Sequence, residues 1–333
     1  MSIQRWDFQE QARELRGQRD LSTFDLVSID DLSPEDIEII LDLAKIFKES
    51  KAEKLSLLKG ISIINAFYEN STRTRSSFEF AGKHLGADTI NISGAGSSVK
   101  KGETLLDTTE TLAALQPQII VIRSEFSGMP EFLARHVSAS IVNAGDGWHE
   151  HPSQALLDLK TINDHHGSVK GKVVTIVGDV LHSRVFGSLA RLLKKQGAIL
   201  RVACPETFIP EKGVEVFGFE YFSDVEKALQ GAEVVYALRV QEERGSKGYI
   251  PSMREYSKTF GISAKRLAMA HPNSILMHPG PVMRDTDVHS ALVAIHDQSK
   301  ILDQVENGMA VRAAILWMIG ERKDGSVKAY KAL

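Results

Sequence analysis

Short apolar runs alternate with stretches of helical spacing along almost the whole chain. The runs are ISIINA (61–66), DTINI (88–92), QIIVI (118–122), SIVNA (140–144), KVVTIVGD (172–179), AILRVAC (198–204), EVVYAL (233–238) and SILMH (274–278). Brief runs that are apolar on successive residues fit strands covered on both faces, and a helix between consecutive strands makes the crossover parallel. The fold expected is therefore α/β: two doubly wound domains, each with a central parallel sheet flanked by helices. The two series of strands divide near HHGSVKGK (165–172), a polar, glycine-containing turn. In DLSPEDIEIILDLAKIFKES (31–50), Ser33 before Pro34 opens a helix carrying Ile37, Ile40, Leu41 and Ala44 at helical spacing. A last helix, roughly 304–319, either continues the second domain or folds back onto the first, and local pattern leaves both open.

The 333 residues, 43% of them hydrophobic, suffice for two cores. A net charge of −3 gives no basis for binding nucleic acid or an acidic membrane surface. The N-terminal stretch is charged and lacks the apolar centre of a secretory signal, and no run approaches the ~18 apolar residues of a membrane span. Cys204 is the single cysteine, so neither an intrachain disulfide nor a thiolate metal cluster can form. These features fit a soluble, cytoplasmic protein. The first 25 or so residues read as a loose arm or a surface helix.

Four clusters carry chemistry. In FYENSTRTRSSFE (67–79), Ser71 sits where a strand passes into a helix, with Thr72, Arg73 and Thr74 in the first turn. Unpaired backbone N–H groups and the positive end of the helix dipole make such a turn an anion site, and hydroxyls and a guanidinium strengthen it. Phe78, Ala81 and Leu85 form the inward stripe and Gly86 ends the helix. The alternative is a serine cap with exposed arginines. No GxxxxGK[ST] motif occurs, so a nucleotide P-loop is not supported.

In AGDGWHEHPSQALLDL (144–159), His151, Pro152, Ser153 and Gln154 read as a helix start with proline at its first position, placing His151 and Gln154 on one face. A histidine donor beside an amide reader competes with a capping histidine and a solvated glutamine. His149 and His151 have no third ligand nearby, so a metal pair is rejected. VGDVLHSR (177–184) and YALRVQEER (236–244) bring Arg184, Arg239 and Gln241 to strand ends, where parallel sheets bind ligands. Two guanidiniums there suit a dicarboxylate, against surface arginines as the plainer alternative. VGDVLHS lacks GxGxxG spacing, which makes a dinucleotide a weak reading. Finally, ILMHPGPVMRD (275–285) is a rigid proline–glycine turn whose carbonyls could receive an NH2 group, or simply a strand terminator.

Taken together, these residues resemble the aspartate carbamoyltransferases, within the aspartate/ornithine carbamoyltransferase family, over about residues 30–320. The elements occur in the family's order: STRTR (71–75), SSVKKGET (97–104), VIRSE (121–125), NAGDGWHEHPSQALLDL (143–159), VGDVLHSR (177–184), LRVQEER (238–244) and HPGP (278–281). Ornithine carbamoyltransferases are expected to carry cysteines in the turns corresponding to HPGP and HPSQ, where this chain has Gly280 and Ser153. Gly280 also replaces the leucine of some family members.

The resemblance implies carbamoyl transfer from carbamoyl phosphate to L-aspartate in pyrimidine synthesis, without metal or organic cofactor. It implies that Ser71, Thr72, Arg73 and Thr74 hold the phosphate and that Arg123 reaches phosphate and carbonyl oxygen. His151 would polarise the carbonyl, while Gln154 and the Gly280/Pro281 turn orient the carbamoyl NH2. Arg184, Arg239 and Gln241 would hold the aspartate carboxylates. Lys101, with Ser97, resembles the loop that reaches a neighbouring subunit's site, which implies a homotrimer with shared sites. A carbamoyl-phosphate-binding domain over 1–164, an aspartate-binding domain over 165–303 and a C-terminal helix returning to the first are expected. A regulatory chain or a dihydroorotase partner is an assembly that some family members adopt. The rivals are a carbamoyltransferase for ornithine or another amino acid, and a catalytically silent assembly homologue. The silent homologue should have lost one of Arg73, Lys101, Arg123, His151 or Arg184, and all five are present.

Overall fold

The computed structural model describes residues 7–93, 104–241, 248–293 and 297–322, together with Ser326 and Lys328. The chain folds as two compact units, one of residues 1–156 and 306–333, the other of residues 157–305. In chain order the first contains α1 (Phe8–Arg16), α2 (Pro34–Glu49), β1 (Ser62–Phe67), α3 (Thr72–His84), β2 (Asp88–Ser93), α4 (Leu105–Ala113), β3 (Ile119–Ser124), α5 (Met129–Ala134) and β4 (Ser140–Asp146). Helix α6 (Pro152–His166) crosses the division. The second unit follows with β5 (Val173–Val177), α7 (Arg184–Lys195), β6 (Ile199–Ala203), α8 (Gly213–Phe217), β7 (Glu220–Phe222), α9 (Val225–Leu229), β8 (Val234–Ala237), α10 (Met253–Phe260), α11 (Ala264–Leu267) and β9 (Ile275–Met277). Helix α12 (Ile301–Gly320) crosses the division again.

Both sheets are parallel, as the alternating pattern requires. The first has strand order β2-β1-β3-β4 and the second β7-β6-β5-β8-β9. Each therefore has a switch point, where the chain has wound outward in both directions from a central strand: between β1 and β3, and between β5 and β8. The sequence reading missed β7, whose three residues are too few to show a pattern.

The first core lies on both faces of its sheet. Ile64, Ala66, Ile120, Ile122 and Ile141 project to one face, against Leu112, Leu133 and Val137. Strand β4 is buried along its whole length, whereas the edge strand β2 is mostly exposed. The β4 edge is closed by the segment around Leu26, whose N–H donates to the Ile141 carbonyl at 2.9 Å and whose carbonyl accepts from Asn143 N–H at 2.8 Å. This removes an edge open to chance pairing. Helix α2 begins as expected, with Pro34 at its first position and Ser33 and Asp36 forming a reciprocal capping box around it.

Of the two forms expected for the N-terminal stretch, residues Phe8–Arg16 take the helix, α1. In α1, Arg16 is fully buried, its guanidinium lies 4.8 Å from the Trp317 ring centre, and it pairs with Asp20 at 2.9 Å. The aliphatic stem and flat guanidinium let a charged residue fill an apolar site while its charge stays paired. Among the described residues, no helix is long and apolar enough to cross a membrane.

Candidate functional site

In the first unit, α3 begins unlike its neighbours. Helices α2 and α4 satisfy their first-turn N–H groups with reciprocal capping boxes that include an acidic residue. Ser71 occupies the cap position of α3 but its side chain makes no capping bond, and no acid lies in the first turn. The plainer alternative of a serine side-chain cap is thus not met, and the turn bearing Ser71, Thr72, Arg73 and Thr74 keeps its electropositive end. Thr72 and Arg73 are exposed and Thr74 is buried. Phe78, Ala81 and Leu85 are fully buried, so the stripe that anchors this helix lies where its spacing put it. Gly86 has φ of +83°, and a Cβ there would meet the Leu55 carbonyl at 2.8 Å, which is why the helix stops at a glycine.

The register of the sheet brings Arg123 to this turn's own strand. Phe67, the last residue of β1, pairs with Arg123 on β3, and Tyr68 N–H donates to the Arg123 carbonyl at 2.9 Å. The Arg123 guanidinium donates to the Ala144 carbonyl at 3.2 Å and lies 3.6 Å from Glu69. The α3 turn and Arg123 therefore share the β1/β3 switch point, the place where doubly wound sheets bind ligands.

His151 and Gln154 are both buried, which rules out the solvated glutamine of the plainer reading. Pro152 opens α6 as expected, and the His151 carbonyl accepts from Gln154 and Ala155 N–H groups at 3.0 and 3.2 Å. The turn before His151 is braced by two acids that sequence reasoning passed over. Asp146 accepts from Asn143 Nδ2 at 2.8 Å, from Glu150 N–H at 3.0 Å and from Gly128 N–H at 2.7 Å. Glu150 accepts from Ser28 Oγ at 2.5 Å and from Ile29 N–H at 3.0 Å. At Gly147, φ is +47° and a Cβ would overlap the Ser127 hydroxyl, so glycine is required.

In the second unit, Arg184 is the first residue of α7 and is buried, not a surface arginine. Ser183 caps the helix by accepting from Phe186 N–H, and no acid lies in the first turn. Arg239 and Gln241 follow β8, with Arg239 Nη2 donating to Gln241 Oε1 at 3.0 Å. Because β5 and β8 are adjacent, Arg184 and Arg239 emerge at the second switch point.

Buried Asp179 links these two strand ends, accepting from His182 N–H at 3.1 Å and from Gln241 N–H at 3.1 Å, while His182 Nδ1 lies 2.9 Å from it. A Gly-Asp pair at the end of β4 and of β5 was the signal available for Asp146 and Asp179. Cys204 is buried, and burial, with Asp179 nearby, pushes its thiol far up, so it has no thiolate to offer.

The HPGP turn follows β9. Gly280 has φ of +67° and donates its N–H to His278 Nδ1 at 2.8 Å, and the Gly280–Pro281 peptide is cis. Ser97 and Lys101, and the end of LRVQEER after Gln241, lie outside the described residues.

The carbamoyl-P binding domain model of aspartate/ornithine carbamoyltransferase matches residues 25–164, and the Asp/Orn binding domain model matches residues 170–319. The aspartate carbamoyltransferase catalytic subunit of Syntrophotalea carbinolica is 48% identical over 308 residues, covering 91% of this chain and 98% of its own. The aspartate transcarbamoylase of Trypanosoma cruzi, in complex with carbamoyl phosphate and aspartate, superimposes with a TM-score of 0.82 at 30% identity, covering 90% of this chain and 99% of its own. The ornithine carbamoyltransferase of Thermus thermophilus does so with a TM-score of 0.80 at 26% identity, covering 90% and 99%. Two family models that between them span most of the chain, and a relative near half identity along it, lead to one conclusion: the chain belongs to the aspartate/ornithine carbamoyltransferase family.

Proposed function

We propose that the chain transfers the carbamoyl group of carbamoyl phosphate to the amino group of L-aspartate, giving N-carbamoyl-L-aspartate and phosphate, in pyrimidine synthesis. The observation that carries this reading is that each sheet presents basic residues at its own switch point: the α3 turn with Arg123 in one, Arg184 with Arg239 in the other. The first set suits a phosphate and the second a dicarboxylate. A cationic acceptor such as ornithine would meet two guanidiniums in place of a carboxylate. The name of the Syntrophotalea relative and the ligands of the Trypanosoma structure support the same choice.

In this reading Ser71, Thr72, Arg73 and Thr74 hold the phosphate with backbone and side-chain donors. Arg123 spans phosphate and carbonyl oxygen. His151 stabilises the charge that develops on that oxygen as the amine attacks. Gln154 and the Gly280/Pro281 turn orient the NH2, and Arg184, Arg239 and Gln241 clamp aspartate. The neutral amine forms the new C–N bond, the carbonyl carbon–phosphate oxygen bond breaks, and the departing phosphate takes the amine's proton. Holding amine and carbonyl in near-attack geometry supplies much of the rate. Residues 1–164 bind carbamoyl phosphate and 165–303 bind aspartate. Lys101 and Ser97 serve a neighbouring subunit's site in a homotrimer.

The test is a steady-state assay with carbamoyl phosphate and either L-aspartate or L-ornithine, following phosphate and the carbamoylated product. Carbamoyl-aspartate formed with aspartate alone is the expected result. Turnover with ornithine would overturn the roles of Arg184, Arg239 and Gln241, and silence with both would overturn the activity.

A further inference from the structure

The turn after β9 is held from behind by a buried pair. His278 and Asp287 have fully buried side chains. His278 Nδ1 accepts the Gly280 N–H at 2.8 Å, and an imidazole nitrogen that accepts carries no proton. The ring proton therefore sits on Nε2, which faces Asp287 Oδ2 at 3.2 Å. That same carboxylate oxygen accepts Met283 N–H at 2.9 Å. One ring and one carboxylate thus fix the loop on both sides of Pro281, at residues 280 and 283. The anchor continues inward: His278 N–H donates to Gln304 Oε1 at 2.9 Å, Gln304 Nε2 donates to Asp158 Oδ1 at 2.8 Å, and Tyr236 Oη donates to Asp158 Oδ2 at 2.6 Å.

Burying a carboxylate is costly, and ending a strand does not require it, because Pro279 and Pro281 would do so alone. The expense is explained if the direction of the turn matters. We propose that His278 and Asp287 are positioning residues for the carbamoyl group, holding the Gly280/Pro281 turn at the angle at which it orients the NH2, with His278 acting as its Nε2–H tautomer. This rests on the carbamoyl-transfer reading given above.

Two substitutions separate this from a structural role. His278→Asn keeps an oxygen where Nδ1 was, and Asn-Pro-Gly readily closes an Asx turn onto the N–H two residues on, so the Gly280 bond survives while Asp287 loses its ring partner and keeps only Met283 N–H. His278→Gln reaches the Nε2 position, keeping Asp287 partnered while the Gly280 N–H is released. A displaced turn misorients the reacting group, where about 1 Å costs roughly 100-fold in rate. The expected result is a crossing. His278→Gln is at least as resistant to urea as His278→Asn yet has kcat lowered about 100-fold, with KM for carbamoyl phosphate nearly unchanged. His278→Asn recovers most of that loss.

Activity that follows urea resistance across wild type and both variants would overturn the positioning role and leave carbamoyl transfer standing. A wild-type chain without carbamoyl transfer would overturn both. The ring is also read directly in a long-range 1H–15N spectrum of the unliganded chain. An unprotonated Nδ1 with a protonated Nε2 is expected, and the opposite tautomer or a doubly protonated ring would overturn the proposal.

Discussion

Asp179 Oδ2 accepts the backbone N–H of Gln241 at 3.1 Å, joining the end of β5 to the segment beyond β8. The bond spans residues remote in sequence, and it sets where Gln241, with its partner Arg239, leaves the sheet. Removing the carboxylate in Asp179→Ala strands the N–H groups of His182 and Gln241 and leaves the His182 ring without its acid. Breaking a buried pair of this kind costs about 3 kcal/mol or more. Urea denaturation should show that loss, and the aspartate KM should rise by at least about tenfold, a change of about 1.4 kcal/mol.

The same junction depends on Gly178. Its φ is +133°, and a Cβ there would overlap the Leu238 carbonyl at the end of the neighbouring strand. Leu238 N–H donates to the Val177 carbonyl at 2.7 Å, so neither strand can retreat without losing a ladder bond. Gly178→Ala should destabilise the chain by about 2–4 kcal/mol, seen as a lowered midpoint in urea.

Arg73 lies in the first turn of α3 and is exposed, so its loss should hardly affect folding. Arg73→Ala is expected to lower kcat by about 100-fold or more, the scale of a lost transition-state donor, with the thermal midpoint little changed. Wild-type turnover in a folded variant would exclude this turn as the phosphate site.

Arg239→Ala should act chiefly on the second substrate. A lost guanidinium–carboxylate contact that is equally strong in ground and transition states raises the aspartate KM and spares kcat. The initial-rate dependence on aspartate at saturating carbamoyl phosphate measures it. Loss of kcat with an unchanged aspartate KM would remove Arg239 from the clamp.

Stability should fall in mild acid through His84. Burial holds its pKa below the ordinary histidine value, with Glu53 opposing the shift less strongly. A base whose folded pKa is depressed is protonated first in the unfolded chain. Between the unfolded value of about 6.5 and the lower folded value, the unfolded state binds more protons and stability rises with pH. Acidification through about pH 6.5 therefore costs stability until the folded pKa is reached. His84→Gln, which keeps a partner for Ser50 Oγ, now 3.2 Å from His84 Nε2, should flatten this slope in urea midpoints measured from pH 5 to 8.

The apolar runs 61–66 and 118–122 became β1 and β3 with boundaries moved by only a residue or two, because strands buried on both faces must be apolar without interruption. Ser33-Pro34 before a helical period located α2 for a similarly local reason: capping and proline geometry involve residues within one turn. The site residues were legible where chemistry and position coincide, as with Ser71–Thr74 after one strand and Arg184 after another. Buried Asp146, Glu150, Asp179 and Asp287 were not, because only the fold shows that these acids are buried and gives the first three remote partners such as Gly128, Ile29 and Gln241, and an isolated acid in a sequence reads as solvated. That α1 would form was one of two readings open from the sequence, but the burial of Arg16 was not legible, since nothing near it in sequence reveals Trp317.

What the sequence determined by itself was therefore the α/β alternation, every strand but the three-residue β7, and the residue types at the strand ends, all set by interactions over a few residues. The tertiary structure alone decided the strand order. The β1–β3 pairing within β2-β1-β3-β4 puts Arg123 beside the end of β1, and the β5–β8 pairing within β7-β6-β5-β8-β9 puts Arg239 beside Arg184's strand. Strand order is a choice among crossovers of similar local energy, settled by which arrangement buries both faces of each sheet at once.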